Sequence, residues 1–115
     1  MLPYKRSKRV ADQIRREVSE ILMRRLKDPR LGFLTVVDVK LSDDLRLARV
    51  YVSVMRPEER AESMQALKEA QGFVRTELAR RLRIKVIPQV EFLLDTTMEQ
   101  ASRIEELLRK LREQR

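Results

Sequence analysis

The sequence predicts an α+β protein in which a three-stranded sheet packs against helices in the order αββααβα. Two observations predict this class. Apolar residues recur at offsets of three and four in some segments and alternate in others, and proline, glycine or polar turns fall between the segments. From Ser7 to Leu26, the residues Val10, Ile14, Val18, Ile21, Leu22 and Leu26 form one helical stripe. Ser7 is the expected N-cap, and Pro29 stops the helix by restricting Asp28 to extended backbone. Phe33 to Leu41 and Arg46 to Val54 are rich in valine and alternate, with Ala48, Val50, Val52 and Val54 on one face. Ser42-Asp43-Asp44-Leu45 is a short polar turn between them, so the pair reads as an antiparallel hairpin.

Pro57, followed by Glu58 and Glu59, opens a second helical region whose stripe is Met64, Leu67, Val74, Leu78 and Leu82. As one rod from Pro57 to Arg83 it would measure roughly 40 Å. A domain with a radius of gyration near ~13 Å does not pack such a rod comfortably. A break at Ala70-Gln71-Gly72 is therefore expected, with Gly72 as the helix-weakening residue. After Pro88, the residues Val90, Phe92 and Leu94 alternate with Glu91 and Leu93 as a third strand. Thr96 and Glu99 have capping-box spacing ahead of Ala101, Ile104, Leu107, Leu108 and Leu111, the stripe of a last helix. One domain spans residues 1–115, with frayed ends expected over 1–6 and 110–115.

Composition removes whole mechanistic classes. The chain has no Cys and no His, which excludes the usual zinc sites, a disulfide framework and an imidazole general base. Its two glycines, Gly32 and Gly72, are too few and too far apart for a phosphate-cradling loop. Neither a signal-like segment nor a membrane-length apolar run occurs, so the expectation is a cytoplasmic protein without a membrane partner, small-molecule substrate or cofactor, acting as a monomer. Arginine dominance without asparagine suggests a heat-adapted source, although a GC-rich genome gives the same bias.

The charge points to a polyanion. Net charge is +8, and the excess is uneven: residues 1–30 hold 10 basic against 4 acidic side chains, and residues 61–90 hold 6 against 3. The first group supplies Lys5, Arg6, Lys8, Arg9, Arg15 and Arg16 as phosphate-contact candidates, against the plainer reading of a solvated helix face. The second supplies Arg75, Arg80, Arg81, Arg83 and Lys85, more cations than an ordinary helix C-terminus needs. Phe33, Phe73 and Phe92 sit in core-like patterns, which argues against a platform for stacking splayed bases. Asp38, Asp43, Asp44 and Asp95 are the raw material for a metal-dependent nuclease, but their settings read as turn, strand and helix-cap positions.

An αββααβ order with a helix-break-helix unit between the last two strands is similar to the type II KH fold. KH domains carry a Gly-x-x-Gly loop at that break, and here Ala70-Gln71-Gly72 stands in its place. Together with Arg6-Ser7-Lys8-Arg9-Val10, Asp28-Pro29-Arg30, Thr35-Val36-Val37, Ala48-Arg49-Val50-Tyr51-Val52-Ser53 and Leu82-Arg83-Ile84-Lys85-Val86-Ile87-Pro88, this makes the chain resemble the bacterial ribosome-binding factor A family from about Tyr4 to Leu111. The resemblance implies a single KH-like domain that binds the immature small (30S) ribosomal subunit and its 16S rRNA. It also implies assistance in late maturation, including that of the RNA 5′ end, without catalysis. A basic protein-interaction module and, less favoured, a metal-dependent nuclease are the competing readings.

Overall fold

The computed structural model describes residues 3–114, with side chains from Arg6 onward. Helix α1 runs Pro3–Glu20 and widens into a π-helical turn, Ile21–Arg25, closed by the Leu26 N–H donating to the Ile21 carbonyl at 3.0 Å. Ile21 and Leu22, seven and eight residues after Ile14, stay on the buried stripe with Ile14 and Val18. Strands β1 (Leu34–Leu41) and β2 (Leu47–Val54) pair antiparallel, and β3 (Gln89–Leu94) adds to β2 in parallel, giving the order β1-β2-β3. A 3-10 turn, Pro57–Glu59, leads into α2 (Arg60–Glu69); α3 (Gln71–Arg81) follows, and α4 (Thr97–Glu113) ends the fold. The expected order is present.

β2 is the central strand, and its alternation decides the core. Ala48, Val50, Val52 and Val54 turn inward with exposures of 0 to 4%. They meet Ile14, Val18, Leu67, Val74 and Leu78 from α1, α2 and α3 on one face of the sheet. A register shift between Val36 and Asp38 inserts one residue into β1, so that Val36 and Val39 are both buried while Val37 is exposed. The hairpin turn is held by Ser42, whose Oγ donates to Asp44 Oδ1 at 2.7 Å and accepts the Leu47 N–H at 3.0 Å, with Leu45 in the left-handed region at φ 61°. Between α1 and β1, Asp28 accepts three hydrogen bonds from Arg30, whose guanidinium also pairs with Glu69 on α2. Buried Ser63 donates to the Arg30 carbonyl at 3.1 Å, so the Asp28-Pro29-Arg30 corner is pinned to α2.

Several local expectations are corrected. α1 begins at Pro3, so Ser7 lies inside the helix and is not its N-cap. Helix also extends over residues 3–6 and 110–113, where fraying was expected; residues 1, 2 and 115 lie outside the described residues. The break between α2 and α3 falls at Ala70, with φ −87° and ψ −2°, whose N–H is shared by the Ala66 and Leu67 carbonyls. Gly72 lies within α3. The capping box does not form: Asp95 Oδ1 takes the Thr97 N–H at 3.1 Å, and Glu99 pairs with the Arg60 cation, a stronger partner than a backbone amide. Phe33 and Phe73 are 68% and 39% exposed, and of the three phenylalanines only Phe92 is buried. The α4 stripe faces solvent along its length, because α4 projects from the body instead of lying on the sheet.

Candidate nucleic-acid interface

Helices α1 and α3 lie side by side, and their seam is ionic. Glu77 of α3 is only 6% exposed; its carboxylate receives Arg25 at 3.7 Å, Arg80 at 3.6 Å and Arg81 at 3.9 Å. Arg81 also reaches Glu17 at 3.1 Å and Glu20 at 3.4 Å, and these carboxylates raise its pKa above the ordinary value, the hydrogen bond to Glu17 contributing most. Its charge is therefore committed to joining α3 to α1. Arg25, which the sequence reading passed over, caps the seam from the last turn of the α1 rod. Its signal was the basic pair Arg24-Arg25 after the apolar Ile21-Leu22-Met23.

A second group of cations converges on the segment that connects α3 to β3. Arg75, Thr76, Ala79, Lys85, Val86 and Ile87 line a shallow hollow of about 440 Å³, and Arg75 Nη2 donates to the Ile87 carbonyl at 3.2 Å. Lys85 also borders a smaller hollow of about 160 Å³, shared with Arg6 at the start of α1 and with Asp44 and Leu45 of the hairpin turn. Arg6, Lys85 and Arg75 thus come from three stretches of chain to one place. All three are exposed. Arg83 is also exposed, but α3 ends at Arg81, so it projects from the connecting segment and not from the helix face the sequence suggested.

The remaining α1 candidates divide around the rod. At about 100° per residue from buried Ile14, Arg6 and Glu17 fall on the α3 side, Arg9 and Arg16 point away from the core, and Lys8 and Arg15 fall on the far flank. The structure therefore groups Arg6 with the α3 cations and separates Lys8 and Arg15 from them. The side chain of Lys5 lies outside the described residues.

At the break, Ala70 is 8% exposed and packed in the core, where a larger side chain would overfill the site. Gly72 is the opposite case. A Cβ built on it meets nothing within 4 Å, and its φ is negative, so neither crowding nor backbone conformation requires glycine there. Exposed Phe73 is its neighbour, so the expected lack of an accessible aromatic does not hold at this corner.

The acids are engaged locally. Asp44 accepts from Ser42 and from the Arg46 N–H at 3.1 Å, and Asp95 accepts from Thr97 Oγ1 at 2.6 Å and from its N–H; these hydrogen bonds hold both carboxyls below the usual range. Asp38 Oδ1 accepts the Val39 N–H at 2.8 Å. Asp44 and Asp95 flank opposite ends of the β2–β3 ladder, whose paired residues run from Leu47 to Val52, roughly 17 Å of strand. They cannot share a metal ion. Among the described residues, no group of three or more Asp, Glu, His or Cys stands together as a metal site, and no described helix is long and apolar enough to cross a membrane.

Comparison with known proteins places this geometry in a family. The model of the ribosome-binding factor A family matches residues 6–108. A ribosome-binding factor A of Thermodesulfovibrio yellowstonii is 51% identical over 112 residues, covering 97% of this chain and 95% of that protein. The crystal structure of ribosome-binding factor A from Thermus thermophilus is 38% identical with a TM-score of 0.70, over 76% of this chain and 93% of the other. A Thermus thermophilus ribosome binding factor A, as fitted into the cryo-electron microscopy map of its complex with the 30S subunit, is 40% identical with a TM-score of 0.63, over 75% of this chain and 91% of the other. That family is known as one of ribosome-binding factors, not of enzymes. With its three-stranded sheet, KH-like helix pair and arginine-lined seam, the chain belongs to the ribosome-binding factor A family.

Proposed function

We propose that this protein binds the immature 30S ribosomal subunit in the cytoplasm, grips folded 16S rRNA through its phosphates, and assists late maturation of that RNA, including processing of its 5′ end, without catalysing a reaction. The observation that carries the reading is the Thermus relative, 40% identical, fitted into the map of a 30S complex. The means is electrostatic. Arg6, Arg75 and Lys85 around the Ile84–Pro88 segment, with exposed Arg83 beyond them and Arg80 at the outer edge of the Glu77 seam, offer a group of cations to the phosphates of folded RNA. Arg81 has no part in this grip, because its charge is spent on Glu17, Glu20 and Glu77.

The test is binding to 30S subunits and to 16S rRNA over a salt series. Affinity should fall by orders of magnitude between low and moderate salt if six or more phosphates are contacted. Lys85→Ala should reduce the slope of log affinity against log salt by about one. A flat salt dependence overturns the reading and favours a protein-interaction module. In cells, Arg75→Glu with Lys85→Glu should leave 16S precursors with unprocessed 5′ ends, and normal processing would count against the maturation role.

A further inference from the structure

The sheet has two edges, and they differ. β3 lies next to α2 and α3, whereas β1 is the far edge, and among the described residues no strand pairs with its outer side. The Phe33 carbonyl accepts the Met55 N–H at 2.9 Å, so Phe33 and Thr35 turn their peptide groups toward β2, and the N–H and C=O groups of Leu34 and Val36 point outward. Further along, the strand is bent by the inserted residue at Val37, and Asp38 Oδ1 takes the outward Val39 N–H at 2.8 Å. The second half of the edge is thereby closed, and the first half is left open.

The open half lies beside a hollow of about 690 Å³ whose apolar lining includes Leu22, Met23, Leu26, Leu31, Phe33 and Leu34; of these, Met23 and Phe33 are 81% and 68% exposed. Cations border it. Lys27 lines the hollow itself. Helix α1 runs antiparallel to β1, since its end borders Leu34 to Val36 while its start, at Arg6 and Val10, borders Asp44 and Leu45 of the turn after β1. On that helix Lys8 and Arg15 fall within about 40° of Ser19, which also lines the hollow, so this flank carries them along the β1 edge. Lys8, Arg15 and Lys27 are exposed and make no ion pair among the described residues. Asp12 is the acid on the same flank, and Asp28, at the rim of the hollow, is held by Arg30. Outward N–H and C=O groups beside an aliphatic hollow suit a polypeptide backbone, whereas RNA would use the cations alone.

We propose that an extended acidic peptide of a partner protein adds to the β1 edge as a fourth strand, with alternate apolar side chains in the hollow between α1 and β1 and carboxylates toward Lys27, Arg15 and Lys8. This edge lies across the sheet from α3 and the Arg75–Lys85 cations, so peptide and RNA can be held together.

A short synthetic peptide alternating valine and glutamate, titrated without RNA into the isotope-labelled full chain, tests this. The Leu34 and Val36 amides should shift and gain protection from hydrogen exchange, and a valine–lysine counterpart should bind about tenfold or more weakly. Met23→Ser with Phe33→Ser alters side chains already exposed and should weaken binding about tenfold or more, while circular dichroism and the unfolding midpoint stay the same. Arg15→Glu with Lys27→Glu should reverse the preference between the two peptides, and Lys85→Ala should leave it unchanged. Because only alternate amides of an added strand face β1, N-methylation of either the valines or the glutamates should abolish binding while the other set is tolerated. Absence of binding, shifts centred away from β1, indifference to the charge reversal or equal tolerance of both methylations overturns the proposal. Loss of 16S rRNA affinity in Arg15→Glu with Lys27→Glu, with peptide binding unchanged, would assign the flank to RNA and equally overturn it.

Discussion

Gly72 is a helical residue with open space where a side chain would begin, beside exposed Phe73. Replacing it by alanine removes a helix-weakening residue and should stabilise the fold by about 0.5–1 kcal/mol. If the bare backbone serves close approach by RNA, Gly72→Ala should at the same time weaken subunit binding; urea unfolding and a subunit binding titration on one preparation read both effects. Arg81 and Lys85 make a complementary pair. Arg81→Glu should lower the unfolding midpoint by setting a fourth carboxylate against Glu17, Glu20 and Glu77, whereas Lys85→Glu should leave stability unchanged and reduce binding. The sequence put both in one basic group because it records charge and not its partner; the acids that occupy Arg81 lie mostly in another helix. The Arg30 corner gives the pH dependence. Hydrogen bonds from Arg30, the largest cause for both, hold the Asp28 and Glu69 carboxyls below their ordinary values. Depressed folded pKa values contribute stability that is present above the ordinary carboxylate range and lost as pH falls through the folded values. The urea midpoint should therefore hold between about pH 7 and 5 and fall below about pH 4. Asp28→Asn with Glu69→Gln should flatten that fall.

Within the elements, legibility followed periodicity and failed where a tertiary partner decided. The β2 alternation of Ala48, Val50, Val52 and Val54 was legible as a strand with one apolar face, because the core residues of all three packed helices meet on that face. The π-helical turn at Ile21–Arg25 and the inserted residue in β1 left no such trace, since each changes the count by one residue without changing composition. The α2–α3 break was correctly sited to three residues but attributed to Gly72, when the turning residue is Ala70, held by core packing. The α4 stripe was legible as a helix, yet periodicity does not say whether an apolar face is covered. That difference is measurable. Leu78→Ala, at a fully buried α3 position, should cost about 2–5 kcal/mol. Leu108→Ala, at an exposed α4 position, should cost less than about 0.5 kcal/mol in dilute protein. Urea unfolding of both variants checks the contrast, and equal losses would mean that α4 packs on the body.

The molecule measures 60 × 41 × 17 Å, with a radius of gyration of 17.0 Å. A compact chain of this length would be near ~13 Å. The excess is the projecting α4, and the small third dimension is a single sheet with helices on one face. On this flat body the +8 net charge is unevenly used. Part is neutralised in the α1–α3 seam, and part stands free around Ile84–Pro88, where Arg6, Arg75 and Lys85 meet. The sequence located both basic segments and, through the order and spacing of its motifs, the family. Which cations remain available depends on helix packing that no local pattern encodes. The central claim is that these free cations, and not the seam arginine, hold ribosomal RNA. The most direct measurement is the affinity for 30S subunits over a salt series for the unaltered chain, Lys85→Ala and Arg75→Ala. The account predicts a steep slope for the unaltered chain and a loss of about one unit of slope in each variant; slopes identical across the three proteins would contradict it.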